Sequence, residues 1–293
     1  MRRGLAAMTA GILALGISAC SATGGNSASN AKSGGTPNAS GLIADGKFTI
    51  AMEAAYAPYN WEQPDNANAA VKIDNSTGYA NGYDVLTAKE IAAANGWELH
   101  IVKQDWDSLI PALQAGTIDA VIAGQSMTAQ RMEEVDFAGP YLYANIVVLT
   151  KAGSQFADAK GISELSGGKV TSQTGTIWYD TLIPQIPDAN RLSPAESAPA
   201  MLMALQTGQV DYVVTDMPTA QSAVKAYPEM KILNFSDSAD NFKVSDEDIN
   251  IGIAVKKGNT ALKDTLNKVL AGKSAADFEK LMVQAVSIAP ANE

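Results

Sequence analysis

Cysteine is almost missing from this 293-residue chain, occurring once, at position 20. A single cysteine excludes a disulfide within the chain and a cysteine-based metal cluster, and its place near the N-terminus excludes a cysteine nucleophile in the folded part. Histidine also occurs once, as His100. That removes any His-pair metal site or His-based charge relay, and His100, alternating inside a strand pattern, reads as structural. Nothing in the chain asks for a metal or a cofactor. Aromatic residues make up only 6%, so helices are expected to pack closely through small side chains. Basic residues are outnumbered 21 to 31, for a formal charge of −10, and arginine is scarce. Nucleic acid is excluded as a partner, because phosphate binding needs clustered Lys and Arg. With 46% hydrophobic residues, the chain has enough apolar material for one large or two medium cores.

The first twenty residues point to export. Arg2 and Arg3 form a positive segment, followed by the 15 apolar residues "LAAMTAGILALGISA", too short to span a bilayer comfortably and suited to a signal sequence. The stretch ends in "ISAC", which resembles a lipobox with Cys20 as the acylated residue. The expected organisation is a signal peptide over 1–19 and a lipid-anchored linker over 20–44. Removing the two arginines takes the charge from −10 to −12. From Ser21 to about Ala44 the chain is Ser, Gly, Asn, Ala and Thr without apolar periodicity, which predicts a flexible tether. The globular part is expected to begin near Asp45.

Strands and helices then alternate. "KFTIAME" reads as a strand and "YDVLTAKEIAAANG" as a helix stopped at Asn95-Gly96. "WELHIVK" reads as a strand, "DSLIPALQAG" as a short helix capped by Asp107 and ended by Gly116, and "IDAVIAG" as the next strand. This order implies βαβ units and a mostly parallel sheet. Residues 112–123, "ALQAGTIDAVIA", align with residues 204–215, "ALQTGQVDYVVT", and six of the twelve positions are identical. A recurring helix, glycine stop and strand predict two similar α/β lobes.

The first copy leads into Gly124, Ser126 and Arg131; the second leads into Asp216. Both groups fall at carboxyl ends of strands, where open α/β sheets bind ligands. Facing lobes would offer a cation with hydroxyls on one side and a carboxylate on the other, which matches the two charged groups of an α-amino acid. Simpler roles remain open to each residue. Arg131 has Glu134 and Asp136 nearby as surface partners. Asp216 stands where it could cap the helix that follows, and Tyr56 and Trp106 could be core aromatics.

Eight segments in order resemble family 3 of the extracytoplasmic solute-binding proteins of amino-acid ABC importers. They are "AYAPYNW" (55–61), "NGYDVLTAKEIA" (81–92), "WDSLIPALQAGTIDAVIAG" (106–124), "SMTAQR" (126–131), "VDFAGPY" (135–141), "QTGTIWYD" (173–180), "VDYVVTDMP" (210–218) and "NIGIAVKKGN" (250–259). The resemblance implies a two-lobed, type II periplasmic-binding-protein fold. Lobe 1 would hold 45–145 and 249–293, lobe 2 would hold 146–248, and two crossing segments would make a hinge. It implies a monomer that passes an amino acid to a permease at the outer face of the cell membrane. It implies ligand carboxylate contacts at Arg131 and Ser126 and ammonium contacts at Asp216 and Gly124. Tyr56 and Trp106 would enclose the ligand's side chain, and Gly175, Thr176 and Ile177 would close over the carboxylate.

The chain departs from the family at Ile177, where a threonine is common, so one hydroxyl contact is lost there. An acidic residue at the place of Glu53 accepts a hydrogen bond from the ligand's side-chain nitrogen in members that bind lysine, arginine or glutamine. The resemblance therefore implies a cationic or amide-bearing ligand, with lysine and arginine ahead of glutamine. The other roles open to Glu53 are an outward orientation and a salt bridge at the cleft rim. Two further function classes compete: an enzyme of dehydratase type on the same fold, and an amino-acid-sensing module.

Overall fold

The computed structural model describes residues 37–290. The positive segment, the apolar stretch, Cys20 and most of the expected tether lie outside the described residues. The end of that tether needs correction. Asn38 folds a turn in which its Oδ1 accepts the N–H groups of Ser40 at 2.9 Å and Leu42 at 3.1 Å. Leu42 is fully buried, and the Ile43 N–H donates to Asp119 at 2.6 Å. The folded part thus begins near Asn38 rather than Asp45, because one side-chain turn and one leucine anchor a segment whose average composition is polar.

Two five-stranded sheets carry the architecture. In the first lobe the strands run Glu98–Lys103, Lys47–Met52, Ala120–Val121, Asn250–Lys256, Val135–Tyr143 across the sheet. In the second the order is Asn190–Arg191, Lys169–Thr171, Tyr212–Asp216, Ile146–Lys151, Met230–Leu233. In each sheet four strands share one direction and the fourth in the order runs against them, so the sheets are mixed, with a single reversed strand each. The reversed strands, Asn250–Lys256 and Ile146–Lys151, are the ones by which the chain enters a lobe after crossing.

The chain leaves the first lobe after Tyr143, enters the second at Ile146 and returns at Asn250. The crossings lie side by side, with the Ala144 N–H donating to the Ile249 carbonyl at 2.8 Å. The repeated motif has one structural meaning in both lobes. Gly116 (φ +69°) and Gly208 (φ +78°) turn the chain out of a helix in the left-handed region that favours glycine. Asp119 then accepts the Thr49 N–H at 2.7 Å, and Asp211 accepts the Lys169 N–H at 2.7 Å. Each aspartate thereby fixes its strand against the neighbouring parallel strand of its own sheet.

The helix Tyr83–Asn95 packs a buried face of Val85, Ala88, Ile91 and Ala92 and ends where Gly96 takes φ +66°. The helix before the repeat differs from expectation. A single 3-10 turn, Trp106–Ser108, precedes Leu109–Ala115, and no side-chain cap closes its start. Asp107 sits inside that turn and lines the cleft instead of capping. A four-stranded sheet built from Ala55–Tyr56, Asn60–Gln63, Tyr79–Asn81 and Val71–Lys72 is also present. Its strands of two to four residues are too short to show alternation in sequence. The helix Ala275–Ile288 is tied to the second lobe by Lys225, whose Nζ donates to the carbonyls of Val286, Ser287 and Ala289, each at 3.2 Å. No described helix is long and apolar enough to cross a membrane, and no described cluster of His, Cys, Asp and Glu could hold a metal ion.

Candidate functional site

A cavity of about 580 Å³ opens between the lobes, with Trp106, Gln125 and Arg131 on one wall and Gly175, Thr176 and Ile177 on the other. That volume lies in the range of small-molecule clefts. Arg131 is placed by the short helix Ala129–Glu134, where the Thr128 hydroxyl caps the start by accepting the Arg131 N–H at 3.3 Å. Its guanidinium donates to the Ser126 carbonyl at 2.9 Å and to the Gly175 carbonyl of the opposite lobe at 2.9 Å. It also lies 5.5 Å from the centre of the Trp106 ring, an attractive placement for a cation. The surface partners take other contacts: Glu134 accepts from Gln114, and Asp136 pairs with Lys257 at 3.2 Å. Among the described residues no carboxylate forms an ion pair with Arg131. Burial alone lowers its pKa to about 10, so it stays charged near neutral pH and only partly satisfied by two neutral acceptors.

Ser126 is buried next to it. On the facing lobe the Thr176 hydroxyl donates to the Gln173 carbonyl at 2.7 Å, which shapes the turn. Ile177 is buried and begins the helical turn Trp178–Leu182. Gly175 takes φ +62°, and a Cβ there would stand 3.3 Å from Trp106 Nε1. Arg131, Ser126, Trp106, Thr176 and Ile177 are thus brought together.

Glu53, Tyr56, Gly124 and Asp216 are also assembled, in a buried layer where the lobes touch rather than on the wall of that cavity. Asp216 ends the strand Tyr212–Asp216 and caps the helix Met217–Ala226, its Oδ1 accepting the Thr219 N–H at 3.0 Å. Its Oδ2 accepts the Tyr59 hydroxyl at 2.7 Å and the Tyr56 hydroxyl at 3.3 Å. Burial raises the pKa of Asp216, and the hydrogen bonds from Thr219, Tyr59 and Tyr56 oppose that rise. Tyr56 stacks on Tyr59 with ring centres 4.7 Å apart and meets Trp178 edge-on at 6.1 Å. Gly124 takes φ +64°, and a Cβ there would come within 2.9 Å of Tyr56 and 3.1 Å of Tyr59. Only glycine lets both rings approach this backbone.

Glu53 is 7% exposed and makes no ion pair among the described residues, so it neither turns outward nor serves a rim salt bridge. Its Oε2 accepts from Gln173 Nε2, in the opposite lobe, at 3.4 Å. Burial raises its pKa to about 7. His100 lies apart, bonded to Asp74 at 2.9 Å.

Sequence reasoning missed Tyr59 and Gln173, both of which bridge the lobes, and Asp84. Tyr59 lies inside "AYAPYNW" (55–61), but nothing in sequence ties it to Asp216, 157 positions away. Asp84 is fully buried, accepts from Asn60 at 2.7 Å and Tyr141 at 2.6 Å, and is raised to about pKa 7 by burial. In sequence it is only a first-turn acid of the helix Tyr83–Asn95, with no pattern that marks it as buried.

The arrangement resembles known proteins. The chain is 29% identical over 273 residues to a protein described as a probable histidine-binding protein of Neisseria gonorrhoeae, covering 92% of this chain and 90% of that one. It is 27% identical over 248 residues to ABC transporter arginine-binding protein 1 of Escherichia coli (strain K12), covering 83% and 92%. The structure matches an amino acid ABC transporter substrate-binding protein from Streptococcus pneumoniae bound to L-arginine, with a TM-score of 0.70, 26% identity, and coverage of 83% and 94%. The fold is therefore the two-lobed type II periplasmic-binding-protein fold. The family model of the bacterial extracellular solute-binding proteins, family 3, matches residues 48–282, and the chain belongs to that family.

Proposed function

We propose that this protein is the substrate-binding component of an amino-acid ABC importer. It captures a cationic or amide-bearing L-amino acid between its lobes and presents the closed form to a permease. The observation that carries this reading is Arg131, a desolvated guanidinium facing the cleft without a carboxylate partner among the described residues. Its planar fork suits both oxygens of an α-carboxylate. Asp216, at a strand end in the other lobe, is the matching acceptor for the ammonium.

The electrostatics support a cationic side chain. The cavity is lined by Asp107, Glu134, Asp180, Glu247 and Asp248 against the single charge of Arg131, and Glu53 is buried where it meets Gln173 of the other lobe. An acidic ligand would meet these carboxylates unpaired, while a cationic one neutralises them. The names of the histidine- and arginine-binding relatives agree with this choice. Lysine and arginine rank ahead of glutamine. The lipobox at Cys20 would hold the protein at the outer face of the membrane, with residues 21–37 as the link.

The test is a thermal-shift screen over the twenty amino acids, since a ligand bound only to the native state raises its melting temperature. Arginine or lysine should give the largest shift. The ligand should be recovered chemically unchanged; conversion to a product would instead favour an enzyme on this fold.

A further inference from the structure

Of the polar contacts between lobes, the Tyr59–Asp216 bond joins a residue with no assigned role to the proposed ammonium acceptor. Tyr59 belongs to the first lobe, and Asp216 to the second. The Tyr59 hydroxyl donates to Oδ2 at 2.7 Å, shorter than the 3.3 Å from Tyr56. Both groups are buried, with Tyr59 fully so, and a hydrogen bond to a charged acceptor in such surroundings is among the stronger ones.

The ring that carries this hydroxyl is itself fixed. It stacks on Tyr56 at 4.7 Å and meets Tyr83 edge-on at 6.2 Å. Tyr83 stacks on Tyr141 at 5.6 Å and donates its hydroxyl to the Tyr141 carbonyl. Tyr141 donates to Asp84 at 2.6 Å and accepts the Gly124 N–H at 3.2 Å. A column of four tyrosines thus runs from the lobe interface into the first lobe's core. Within it the Tyr59 ring is packed between Tyr56 and Tyr83.

On the Asp216 side, Oδ1 is held by the Thr219 N–H, so the carboxylate is clamped from its own helix and from the facing lobe. Each carboxylate oxygen offers two lone pairs, so with both tyrosine hydroxyls on Oδ2 and the Thr219 N–H on Oδ1 one acceptor position remains, on Oδ1. We infer that Tyr59 is a positioning residue for amino-acid recognition: its hydroxyl orients Asp216, when the lobes meet, so that the remaining lone pair of Oδ1 points at the α-ammonium of the ligand. Tyr59 itself need not touch the ligand. This rests on the amino-acid-binding reading given above.

The experiment uses Tyr59→Phe, which keeps the ring and its stacking and removes only the hydroxyl. Calorimetry is run with whichever of L-arginine, L-lysine, L-histidine and L-glutamine binds the unaltered protein most tightly, and with the same compound carrying hydrogen in place of its α-ammonium. Tyr59→Phe should weaken the amino acid about tenfold or more, the size of one charge-assisted hydrogen bond. It should change the analogue by less than about threefold, since the analogue has no ammonium to place. Asp216→Asn should erase the distinction, so that adding Tyr59→Phe to it costs little more. Equal losses for both compounds would mean that Tyr59 merely holds the lobes together, and would overturn the inference, as would no loss at all. If Tyr59→Phe lowers the ligand-free melting temperature by several degrees, the ratio between the two compounds still decides, because a folding defect penalises both alike. If none of the four amino acids binds the unaltered protein, the functional reading fails first and the role of Tyr59 falls with it.

Discussion

Glu53 of the first lobe and Gln173 of the second meet across the cleft, with Oε2 and Nε2 3.4 Å apart. A glutamine is a neutral donor, so this pairing leaves the charge of Glu53 uncompensated, and its pKa stands at about 7. A cationic ligand requires the ionised form and must compete with a proton for it. Affinity for arginine or lysine should therefore be full above pH 7 and fall as pH drops through that value. Between pH 8 and pH 5.5 the loss should be roughly thirtyfold if proton competition acts alone. Glutamine should show a weaker dependence, and Glu53→Gln should flatten the profile. Titration calorimetry across this range checks both.

The same raised carboxyls act on folding with a definite sign. Glu53 rises from 4.5 and Asp84 from 3.8, each to about 7 in the folded protein. The folded state then binds more protons than the unfolded chain between roughly pH 4 and 7, so their contribution to stability is complete below that window and lost as pH rises through 7. The ligand-free melting temperature should decline by several degrees from pH 5 to pH 8. Measured in both variants, the decline should be shallower in Glu53→Gln and in Asp84→Asn.

Gly124 holds a left-handed φ of +64° directly beneath two tyrosine rings. Gly124→Ala adds backbone strain and a Cβ 2.9 Å from Tyr56, and should cost about 1–3 kcal/mol of stability. Because the displaced rings carry the hydroxyls bound to Asp216, ligand affinity should fall as well. Chemical denaturation together with calorimetry measures the two effects separately.

How much of this was legible before the structure depends on the range of the interaction. The repeat at 112–123 and 204–215 revealed the two lobes, because a helix, a glycine stop and a strand are local patterns. Arg131 and Asp216 stood out because each follows a copy of that repeat. Tyr59, Gln173 and Asp84 did not stand out, since their roles come from contacts between distant segments that no periodicity encodes. Asp107 was misread for a related reason. An acid before a helical pattern looks like a cap, but the 3-10 turn Trp106–Ser108 places it beside the cleft. The tether boundary was drawn by averaging composition, and averaging hides a single buried leucine.

Leu42 provides a check on that boundary. It is fully buried although it lies within the stretch read as tether. Leu42→Ala should destabilise the protein by about 2–5 kcal/mol, the range for truncating a large core side chain, whereas a leucine in a mobile tether would cost nothing. Denaturant unfolding of the protein lacking its signal peptide gives the answer.

Cys20 lies outside the described residues, and its proposed acylation is tested in cells. Cys20→Ala should move the exported protein from the detergent phase to the aqueous phase in a phase-partition assay. Retention in the membrane fraction after a high-salt wash would contradict lipid anchoring.

The central claim is that Arg131 binds the carboxylate of an amino acid in the cleft. Removing the guanidinium would leave that carboxylate desolvated and unpaired, at a cost of about 2–5 kcal/mol. Isothermal titration of the tightest-binding amino acid into Arg131→Ala should show a loss of roughly 30-fold to several-thousand-fold. Arg131→Lys should recover only part of it, because a point charge lacks the planar fork. Binding by Arg131→Ala within threefold of the unaltered protein would contradict the account.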